Sequence, residues 1–502
     1  MSLFAVMLPI PTHKRITRMK QTFLQKADEN LPLLIKTPIT PHVPLTVLTA
    51  GDTLTIDLGN HYVGYFSFTM GYPAMYIDAP VTLVVRFCET ERELEDDFAS
   101  YHGSLSASWL QEDVINVDFP GEYQMPRRYA ARYIKITARF ASQPLSLSAF
   151  RFVAETSADM AALKPYETAD AELSAIDRVS VNTLKNCMQR VFEDGPKRDR
   201  RLWIGDLRLE ALANYYTFGD TALVKRCLYL FAASDRENGF LPGYVYENPV
   251  YVSGYWTIRD YSLMYVATLC DYLTHTGDET VFRDLYADAR SVMEAAHRDR
   301  NEEGLAVGFD PQIFVDWCPG LEKKTAYAGI YLYTLALWCE ALDTLGYSDA
   351  ALYRQRLDEG RKAARKALYH EEKKAFLSSW DNDQYSVHST AWMILGGVIE
   401  GEEAKEAMTL VMHDETSVKP NTPYMHHYAV DAMLKAGLTA ESEQYIRQIW
   451  GGMVRMGADT FFEVYKPGDP DFSPYGDRMM NSMCHAWSCT ATYFIRKYGL
   501  GQ

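Results

Sequence analysis

The spacing of apolar side chains changes once along the chain, from a period of two residues to the helical period of about 3.6 residues. Between about residues 45 and 157, apolar and polar positions alternate, as in TLTIDL (53–58) and YFSFTM (65–70). This alternation is typical of strands that bury one face, and Gly, Pro, Asn and Asp residues separate the runs. The segment therefore predicts an antiparallel β-sandwich of about 110 residues.

After Pro165 the apolar positions repeat with the helical period. Asp170 is a suitable N-cap for the first helix. About twelve helical segments are predicted from there on: 170–190, 206–218, 220–234, 259–276, 279–297, 324–345, 348–369, 386–399, 402–412, 424–437, 439–455 and 481–498. Short and long connections tend to alternate between them, which predicts six α-hairpins with their long loops at one end.

Six hairpins can close into an (α/α)6 barrel, although the number of helices alone also fits a helical solenoid. Solenoids carry a sequence repeat of roughly 34 to 47 residues, and no fixed repeat of this kind is found in the sequence. We therefore predict a multidomain, mainly α protein in which an (α/α)6 barrel follows an antiparallel β-sandwich. The predicted boundaries are an N-terminal segment at 1–44, the β-sandwich domain at 45–160 and the barrel domain at 161–502.

The net charge and the cysteines limit which binding partners and which cellular compartment we expect for the protein. The 502 residues carry a net charge of −16, which argues against nucleic acid or an anionic membrane surface as a partner. Eight cysteines are scattered without a CxxC pair or a zinc-site spacing, which favours thiols in a reducing compartment. Residues 4–10 are apolar but lack a preceding basic flank, so we predict no signal peptide. No run is long enough to span a membrane, and we expect a cytoplasmic protein.

The densest chemistry lies at 193–206, in the segment EDGPKRDRRLWIGD. Four carboxylates and four Lys or Arg side chains surround Trp203 within this segment. Carboxylates can transfer protons, guanidinium groups can bind hydroxyls, and a flat ring can stack on a sugar. The segment thus favours a carbohydrate site. The alternative interpretation is a loop whose charges pair with one another where a helix begins.

The other long loops add candidate residues of different strength. Trp256 follows several tyrosines in the loop 235–258, where the aromatic rings could form a stacking surface or could simply pack between helices. Asp316 beside Trp317 is weak evidence by itself. His388 begins an apolar helix, a position more typical of a core histidine than of a catalyst.

Glu463 is the second strong candidate, because it follows two phenylalanines in the loop 456–480. An apolar setting raises the pKa of a carboxyl group and makes it available for proton transfer. The alternative is a paired, half-exposed glutamate. His485 and Trp487 could complete a sugar pocket. The sequence holds no set of metal ligands, no phosphate-binding glycine loop and no dinucleotide fingerprint, so we expect neither a metal nor a cofactor.

These segments together resemble a known family. DGPKRDRRLWIGD, FVDWCPG, SVHSTAW, NTPYMHHYAVDAMLKAGL and GADTFFE…NSMCHAWS, in this order, resemble the bacterial α-L-rhamnosidases of glycoside hydrolase family 78, which belong to the six-hairpin glycosidase superfamily. The similarity covers about 165–498. The segments TLTIDLGNHYVGYFSF and MPRRYAARYIKI look like the β-sandwich that precedes the barrel in that family.

The resemblance implies an (α/α)6 catalytic barrel that removes terminal α-L-rhamnosyl groups with inversion. It implies Asp199 as the general acid and Glu463 as the general base. Together with the aromatic and polar candidates above, it gives the following substrate-binding residues: Asp194, Arg198, Trp203, Asp206, Trp256, Asp316, Trp317, His485 and Trp487. Many members carry a further β-domain after the barrel, and we expect it to be missing here.

One departure from the family pattern concerns the acid. The position after Asp199 is Glu in many members and Arg200 here, and the motif is one residue shorter. The acid is therefore Asp199 or a neighbouring carboxylate. The flanking arginines should lower the pKa of Asp199, whereas Asp194 and Asp206 should raise it. We expect the carboxylates to dominate, because some of the arginines point away or bind substrate.

Two alternatives to rhamnosidase activity follow from the same residues. The barrel could hydrolyse another terminal sugar, such as a mannosyl or uronic acid residue, or it could be a carbohydrate-binding barrel that has lost its acid. For the leading hypothesis the substrate is a small rhamnose-containing glycoside. The candidate assembly is a homodimer.

Overall fold

The computed structural model describes residues 20–73, 80–118, 120–248, 250–308 and 311–501. Residues 1–19 of the predicted N-terminal segment (1–44) lie outside these ranges. Within them the chain begins with a short helix, α1 (Gln21–Asp28), then builds an antiparallel sheet and finally a helical domain. No helix in the described ranges is both long enough and apolar enough to cross a bilayer.

Eight antiparallel strands form the N-terminal domain in the described part of the chain. They are β1 (Ile35–Ile39), β2 (Thr46–Leu48), β3 (Thr53–Gly71), β4 (Val81–Cys88), β5 (Glu112–Val117), β6 (Gly121–Gln124), β7 (Tyr129–Phe140) and β8 (Leu145–Thr156). The strand order is β1-β8-β3-β7-β4-β5, with β2 on β8 and β6 on β3. The first part of β3 pairs with β7 and its last part with β8 and β6, so the sheet folds over a phenylalanine-rich core as in a sandwich.

The sheet begins earlier than the predicted sandwich. Strand β1 lies within the segment assigned to 1–44, and it pairs with β8 from Ile35 opposite Thr156 to Ile39 opposite Phe152. Its sequence, IKTPI, is mostly exposed at the sheet edge and contains Pro38, so it shows no clear alternation. An edge strand of this kind leaves little signal in the sequence.

Twelve further α-helices follow in the described residues and pair as six hairpins. They are α2 (Ala171–Cys187), α3 (Ile204–Tyr216), α4 (Thr221–Ala233), α5 (Arg259–Thr276), α6 (Glu279–Arg298), α7 (Lys324–Leu345), α8 (Ala350–Leu368), α9 (Val387–Leu395), α10 (Gly401–His413), α11 (Pro423–Lys435), α12 (Thr439–Arg455) and α13 (Ala491–Tyr498). Short strands lie in the loops: β9 (Leu202–Trp203), β10 (Tyr244–Tyr246), β11 (Val252–Ser253), β12 (Tyr369–His370) and β13 (Ala375–Phe376).

The odd-numbered helices from α3 to α13 form an inner ring, and the even-numbered ones from α2 to α12 lie outside. Helix α3 packs on α5, α5 on α7, α7 on α9 and α9 on α11, while α13 packs back on α3 and α12 on α2. Because the last helices meet the first, the domain is a closed (α/α)6 barrel and not a solenoid. The inner helix α3 is buried along nearly all of its length, whereas the outer helix α8 buries only one stripe.

The last helix is shorter than the predicted segment 481–498, because it begins only at Ala491. The residues before it use their backbone groups for contacts outside the segment. The N–H of Ala486 donates to the carbonyl oxygen of Asp194 at 2.7 Å, for example. An α-helix would take these N–H groups for its own hydrogen bonds, so the segment forms only a short 3-10 helix at Ala486–Ser488 before α13.

Candidate active site

A cavity of about 260 Å³ lies where the long loops meet at the N-terminal ends of α3 and α5. All but one of the residues proposed from the sequence line it: Asp194, Arg198, Asp199, Trp203, Asp206, Trp256, Trp317, Glu463, His485 and Trp487. The cavity is at the small end of the size range of ligand pockets, which suits one sugar ring. Residues that are hundreds of positions apart in sequence thus meet because the barrel closes.

Asp316 is the exception, because it does not line this cavity in the structure. Its carboxylate is fully buried and accepts hydrogen bonds from Asn421 N at 2.9 Å, Thr422 Oγ1 at 2.6 Å and His388 Nε2 at 2.8 Å. It therefore fastens the loop before α11 and not the substrate. His388 is a buried partner of this carboxylate, which agrees with its interpretation as a core histidine.

The same carboxylate belongs to the one group of three potential metal ligands in the described residues. The ligand atoms of Asp316, Cys318 and His388 lie within 4.8 Å of one another. Cys318 is directed to the backbone carbonyl oxygen of Lys419, at 3.6 Å. Because the Asp316 oxygens already accept three hydrogen bonds, the group is better described as a polar clamp than as a metal site.

Glu463 lies on the inner wall of the cavity with its carboxylate almost fully paired. Arg198 Nη2 donates to Oε2 at 2.5 Å, the backbone N–H of Ser482 donates to the same oxygen at 3.0 Å, and the Tyr475 hydroxyl donates to Oε1. Burial alone would raise the pKa of Glu463. The Arg198 guanidinium and the Tyr475 hydroxyl outweigh burial and lower the pKa to about 2. The sequence-based expectation of a raised pKa is therefore wrong.

Asp199 lies on the other side of the same guanidinium. Arg198 Nη1 is 3.4 Å from Asp199 Oδ1, and Arg201 Nη1 is 3.6 Å from Asp199 Oδ2. Since both carboxylates contact one planar guanidinium, Asp199 Oδ1 and Glu463 Oε2 are no more than roughly 8 Å apart. This bound is compatible with the separation of about 6.5–9.5 Å that inverting glycosidases use.

Three further carboxyl groups lie near this pair. Burial and the nearby charges of other carboxyl groups raise the pKa of Asp194, Asp206 and Glu210 well above the usual range. Asp206 Oδ1 is 3.4 Å from His485 Nδ1, and burial lowers the pKa of that histidine to about 3. Among the described residues, neither carboxyl oxygen of Glu210 has a hydrogen-bond partner. Sequence reasoning missed Glu210, although it lies one helical turn after Asp206.

Aromatic rings form two walls of the cavity. On one side Trp203 contacts Tyr244 at 4.4 Å between ring centroids, with Trp256 nearby at 6.5 Å. On the other side Phe314 stacks on Trp487 at 5.9 Å. Aromatic rings of this kind can stack on the apolar face of a pyranose ring.

Although the tyrosines of the loop 235–258 were considered as a stacking surface, nine other lining residues were not proposed individually. They are Leu105, Trp109, Arg201, Tyr244, Tyr255, Ile258, Tyr261, Phe314 and Tyr475. Tyr475 shares the loop of Glu463, which is the only hint that the sequence gives of its place. Leu105 and Trp109 come from the β4–β5 connection of the sheet domain, and no pattern in the sequence links that connection to the barrel.

The sheet domain also fixes the loop that carries Asp199. Lys197 is buried and pairs with Glu93 at 2.6 Å, and Arg128 pairs with Glu193 at 2.6 Å. These pairs hold both ends of the segment before Asp199 against the sheet. Buried pairs of this kind favour one loop position, because any other would leave a charge without its partner.

The loop that carries Glu463 is held in the same way. Arg132 of β7 pairs with Asp459 at 2.6 Å, and the N–H of Met483 donates to Glu89 Oε2 at 2.7 Å. The sheet domain therefore positions both loops relative to each other, and with them the two carboxylates.

Two family models match the chain. Residues 36–154 match the glycosyl hydrolase family 78 alpha-rhamnosidase N-terminal domain, and residues 163–498 match the bacterial alpha-L-rhamnosidase 6 hairpin glycosidase domain. The second match alone covers more than half of the chain. The chain belongs to the family 78 α-L-rhamnosidases. It is a glycoside hydrolase that removes rhamnosyl groups, and both the resemblance and the predicted fold are confirmed.

Solved structures of this family resemble the α-L-rhamnosidase described here over most of its length. A rhamnosidase from Klebsiella oxytoca with rhamnose bound is 38% identical, with a TM-score of 0.92 over 96% of this chain and 99% of that one. A family 78 rhamnosidase of Bacillus sp. GL1 is 25% identical, with a TM-score of 0.77 over 90% of this chain and 47% of that one. No match was found among curated proteins.

Proposed function

We propose that this α-L-rhamnosidase cleaves terminal rhamnosyl groups from small glycosides with inversion, using Asp199 as general acid and Glu463 as general base. The observation that carries the proposal is the position of the two carboxylates on either side of Arg198, in a cavity walled by aromatic rings. An inverting reaction needs two carboxyl groups with room for a water molecule between one of them and the sugar.

Glu463 suits the part of the base. Its low pKa keeps it ionised at any physiological pH, and its three hydrogen bonds fix its orientation. In the proposed reaction Glu463 takes a proton from the water as the water oxygen attacks the anomeric carbon.

Asp199 suits the part of the acid because of its place at the mouth of the cavity. It lines both the catalytic cavity and the larger groove next to it, and 17% of its side chain is exposed. A leaving group bound in that groove would have its glycosidic oxygen near Asp199. Asp206 is the second candidate, since burial raises its pKa and so keeps it protonated.

The test compares wild type with Glu463→Gln, Asp199→Asn and Asp206→Asn on two α-L-rhamnosides, one with a nitrophenyl and one with a methyl leaving group. We expect NMR to detect β-L-rhamnose first. Loss of the base should slow both substrates by roughly 10²- to 10⁴-fold, whereas loss of the acid should slow mainly the methyl glycoside, whose leaving group needs a proton.

The outcomes separate the assignments. Release of the α-anomer first would overturn inversion, and full activity of Glu463→Gln would overturn its role. Leaving-group dependence in Asp206→Asn but not in Asp199→Asn would move the acid to Asp206. Turnover of a nitrophenyl mannoside or uronide in preference to the rhamnoside would favour the alternative of another terminal sugar.

The proposal extends to cellular context. We take the enzyme to be cytoplasmic, because all eight of its cysteines are free thiols, and Cys187 and Cys484 lie only 4.0 Å apart without a bond. Its net charge of −16 disfavours nucleic acid and anionic membranes as partners. Cell fractionation tests the compartment, and sedimentation velocity tests whether it forms a homodimer.

A further inference from the structure

A groove of about 1080 Å³ adjoins the catalytic cavity. The two share three residues, Trp109, Asp199 and Arg201. The rest of the groove is lined by the segment 31–36, by the face of the sheet around Glu155 and by the end of the loop 190–201. A group attached to the reacting sugar through an oxygen near Asp199 would extend into this groove.

Arg200 is a cation of the groove whose guanidinium has no partner among the described residues. Its backbone has φ of 59°, in the left-handed region that non-glycine residues rarely adopt. In this conformation Arg200 lines the groove and not the catalytic cavity, whereas Arg198 and Arg201 contact Asp199. No hydrogen bond or ion pair joins its guanidinium to another described residue, and Nε is buried without a partner.

The two arginines whose charges act on Arg200 are already paired with carboxylates. Arg127 pairs with Asp113 at 2.9 Å, and Arg128 pairs with Glu193 at 2.6 Å. Burial, and then the charge of Arg128, lower the pKa of Arg200 to about 10, and the opposing charge of Glu193 does not outweigh them.

The remaining charges of the groove leave a positive excess near Arg200. Two of the carboxylates that line the groove are already paired: Glu193 with Arg128, and Glu247 with Arg226 at 2.5 Å. Asp199 lies 3.6 Å from Arg201, and Glu155 is the one groove carboxylate without an ion pair among the described residues, whereas the cations Lys36, Arg190 and Arg200 all lack one.

We propose that this groove is the leaving-group subsite and that Arg200 binds a carboxylate there, so that the enzyme prefers rhamnosides of acidic sugars. The proposal rests on the hydrolysis of rhamnosides proposed above. A guanidinium binds a carboxylate through charge-assisted hydrogen bonds, and such a bond is worth about tenfold or more in binding when the site is partly buried. An uncharged leaving group would leave Arg200 unpaired.

The experiment compares two disaccharides that differ only at one carbon of the leaving group: α-L-rhamnosyl-(1→4)-glucuronic acid and α-L-rhamnosyl-(1→4)-glucose. We measure kcat/KM for both with wild type, Arg200→Asn and Arg200→Lys. Asparagine tolerates the left-handed backbone better than most residues, so Arg200→Asn removes the charge with little added strain. Arg178→Asn, an exposed arginine at a different cavity beside α2, is the matched control.

We expect wild type to prefer the acidic disaccharide by about tenfold or more, and added salt to reduce the preference. Arg200→Asn should abolish the preference, Arg200→Lys should keep part of it, and Arg178→Asn should keep it all. Equal rates of wild type on both disaccharides, or an unchanged preference in Arg200→Asn, would overturn the proposal. If wild type cleaves neither disaccharide nor the nitrophenyl rhamnoside, the proposed hydrolysis itself fails; if it cleaves both disaccharides equally, only the preference fails.

Discussion

Arg198 donates a hydrogen bond of 2.5 Å from Nη2 to Oε2 of Glu463, and only 4% and 2% of the two side chains are exposed. This pair holds the pKa of Glu463 near 2 against the effect of burial. In Arg198→Gln the effect of burial should dominate, and the pKa of Glu463 should rise to or above its ordinary value of about 4.3. Because Glu463 acts as an ionised base, kcat/KM falls when Glu463 becomes protonated at low pH. As the pH is lowered, this fall should begin at a higher pH in the variant than in wild type. Superimposable pH profiles would contradict the role of Arg198, and Arg178→Gln serves as the control.

Tyr475 donates its hydroxyl hydrogen to Glu463 Oε1, and Arg198 lies over its ring at 4.4 Å. Tyr475→Phe keeps the ring and removes one hydrogen bond to the base. We expect kcat to fall about tenfold, the value of one buried hydrogen bond to a charged group, with a smaller change in KM. Steady-state kinetics on the nitrophenyl rhamnoside measure this, and an unchanged kcat would mean that the hydroxyl does not orient Glu463.

Asp316 should matter for stability and not for the reaction. Asp316→Ala would leave three buried donors or acceptors without their partner, at a cost of about 3 kcal/mol of unfolding free energy. Urea unfolding measures the loss, and kcat per folded molecule should stay within about tenfold of wild type. The control is Asp381→Ala, since Asp381 pairs with Lys324 at 2.5 Å on the surface, where such pairs contribute about 1 kcal/mol or less. A loss of activity in Asp316→Ala as large as in Glu463→Gln would restore Asp316 to the catalytic site.

Glu210 should make stability fall as the pH rises. Its pKa is raised in the folded state, so the folded protein binds this proton more tightly than the unfolded chain does. The resulting stabilisation is complete below the unfolded pKa of about 4.3 and is lost as the pH rises from there through the folded pKa. Glu210→Gln removes this pH dependence. The quantity to compare is the melting temperature of Glu210→Gln minus that of wild type. This difference should be a few degrees larger at pH 8 than at pH 5, and an equal difference at both pH values would contradict the assignment.

Local patterns predicted most of the fold, because the outer helices carry an apolar stripe and the inner helices, such as α3 and α5, are long and largely apolar. The outer helix α8 shows an amphipathic stripe, and α5 begins and ends at the predicted residues, 259 and 276. The segment 481–490 was predicted as the first part of the last helix. Its backbone instead bonds to the loops around Glu463 and Asp194, and such long-range contacts leave no local pattern.

The site was predictable where side chains stand in charged or aromatic clusters, as Asp199 and Trp203 do. Asp316 shows the limit of that reasoning, because a carboxylate beside a tryptophan looks the same whether it meets a sugar or a buried histidine. Tyr475 and Trp109 reach the cavity only through the three-dimensional course of their loops. The low pKa of Glu463 depends on Arg198, which is 265 positions away in sequence.

Trp109 belongs to the β-domain, yet it lines both the catalytic cavity of the barrel and the groove beside it. A barrel separated from this β-domain would lack one wall and the ion pairs that fix its loops. The catalytic site therefore depends on both domains being present together. Substitutions in the short turn at 105–109 can change which glycosides are accepted while the reacting carboxylates stay as they are, which makes this turn a sensible target for diversification.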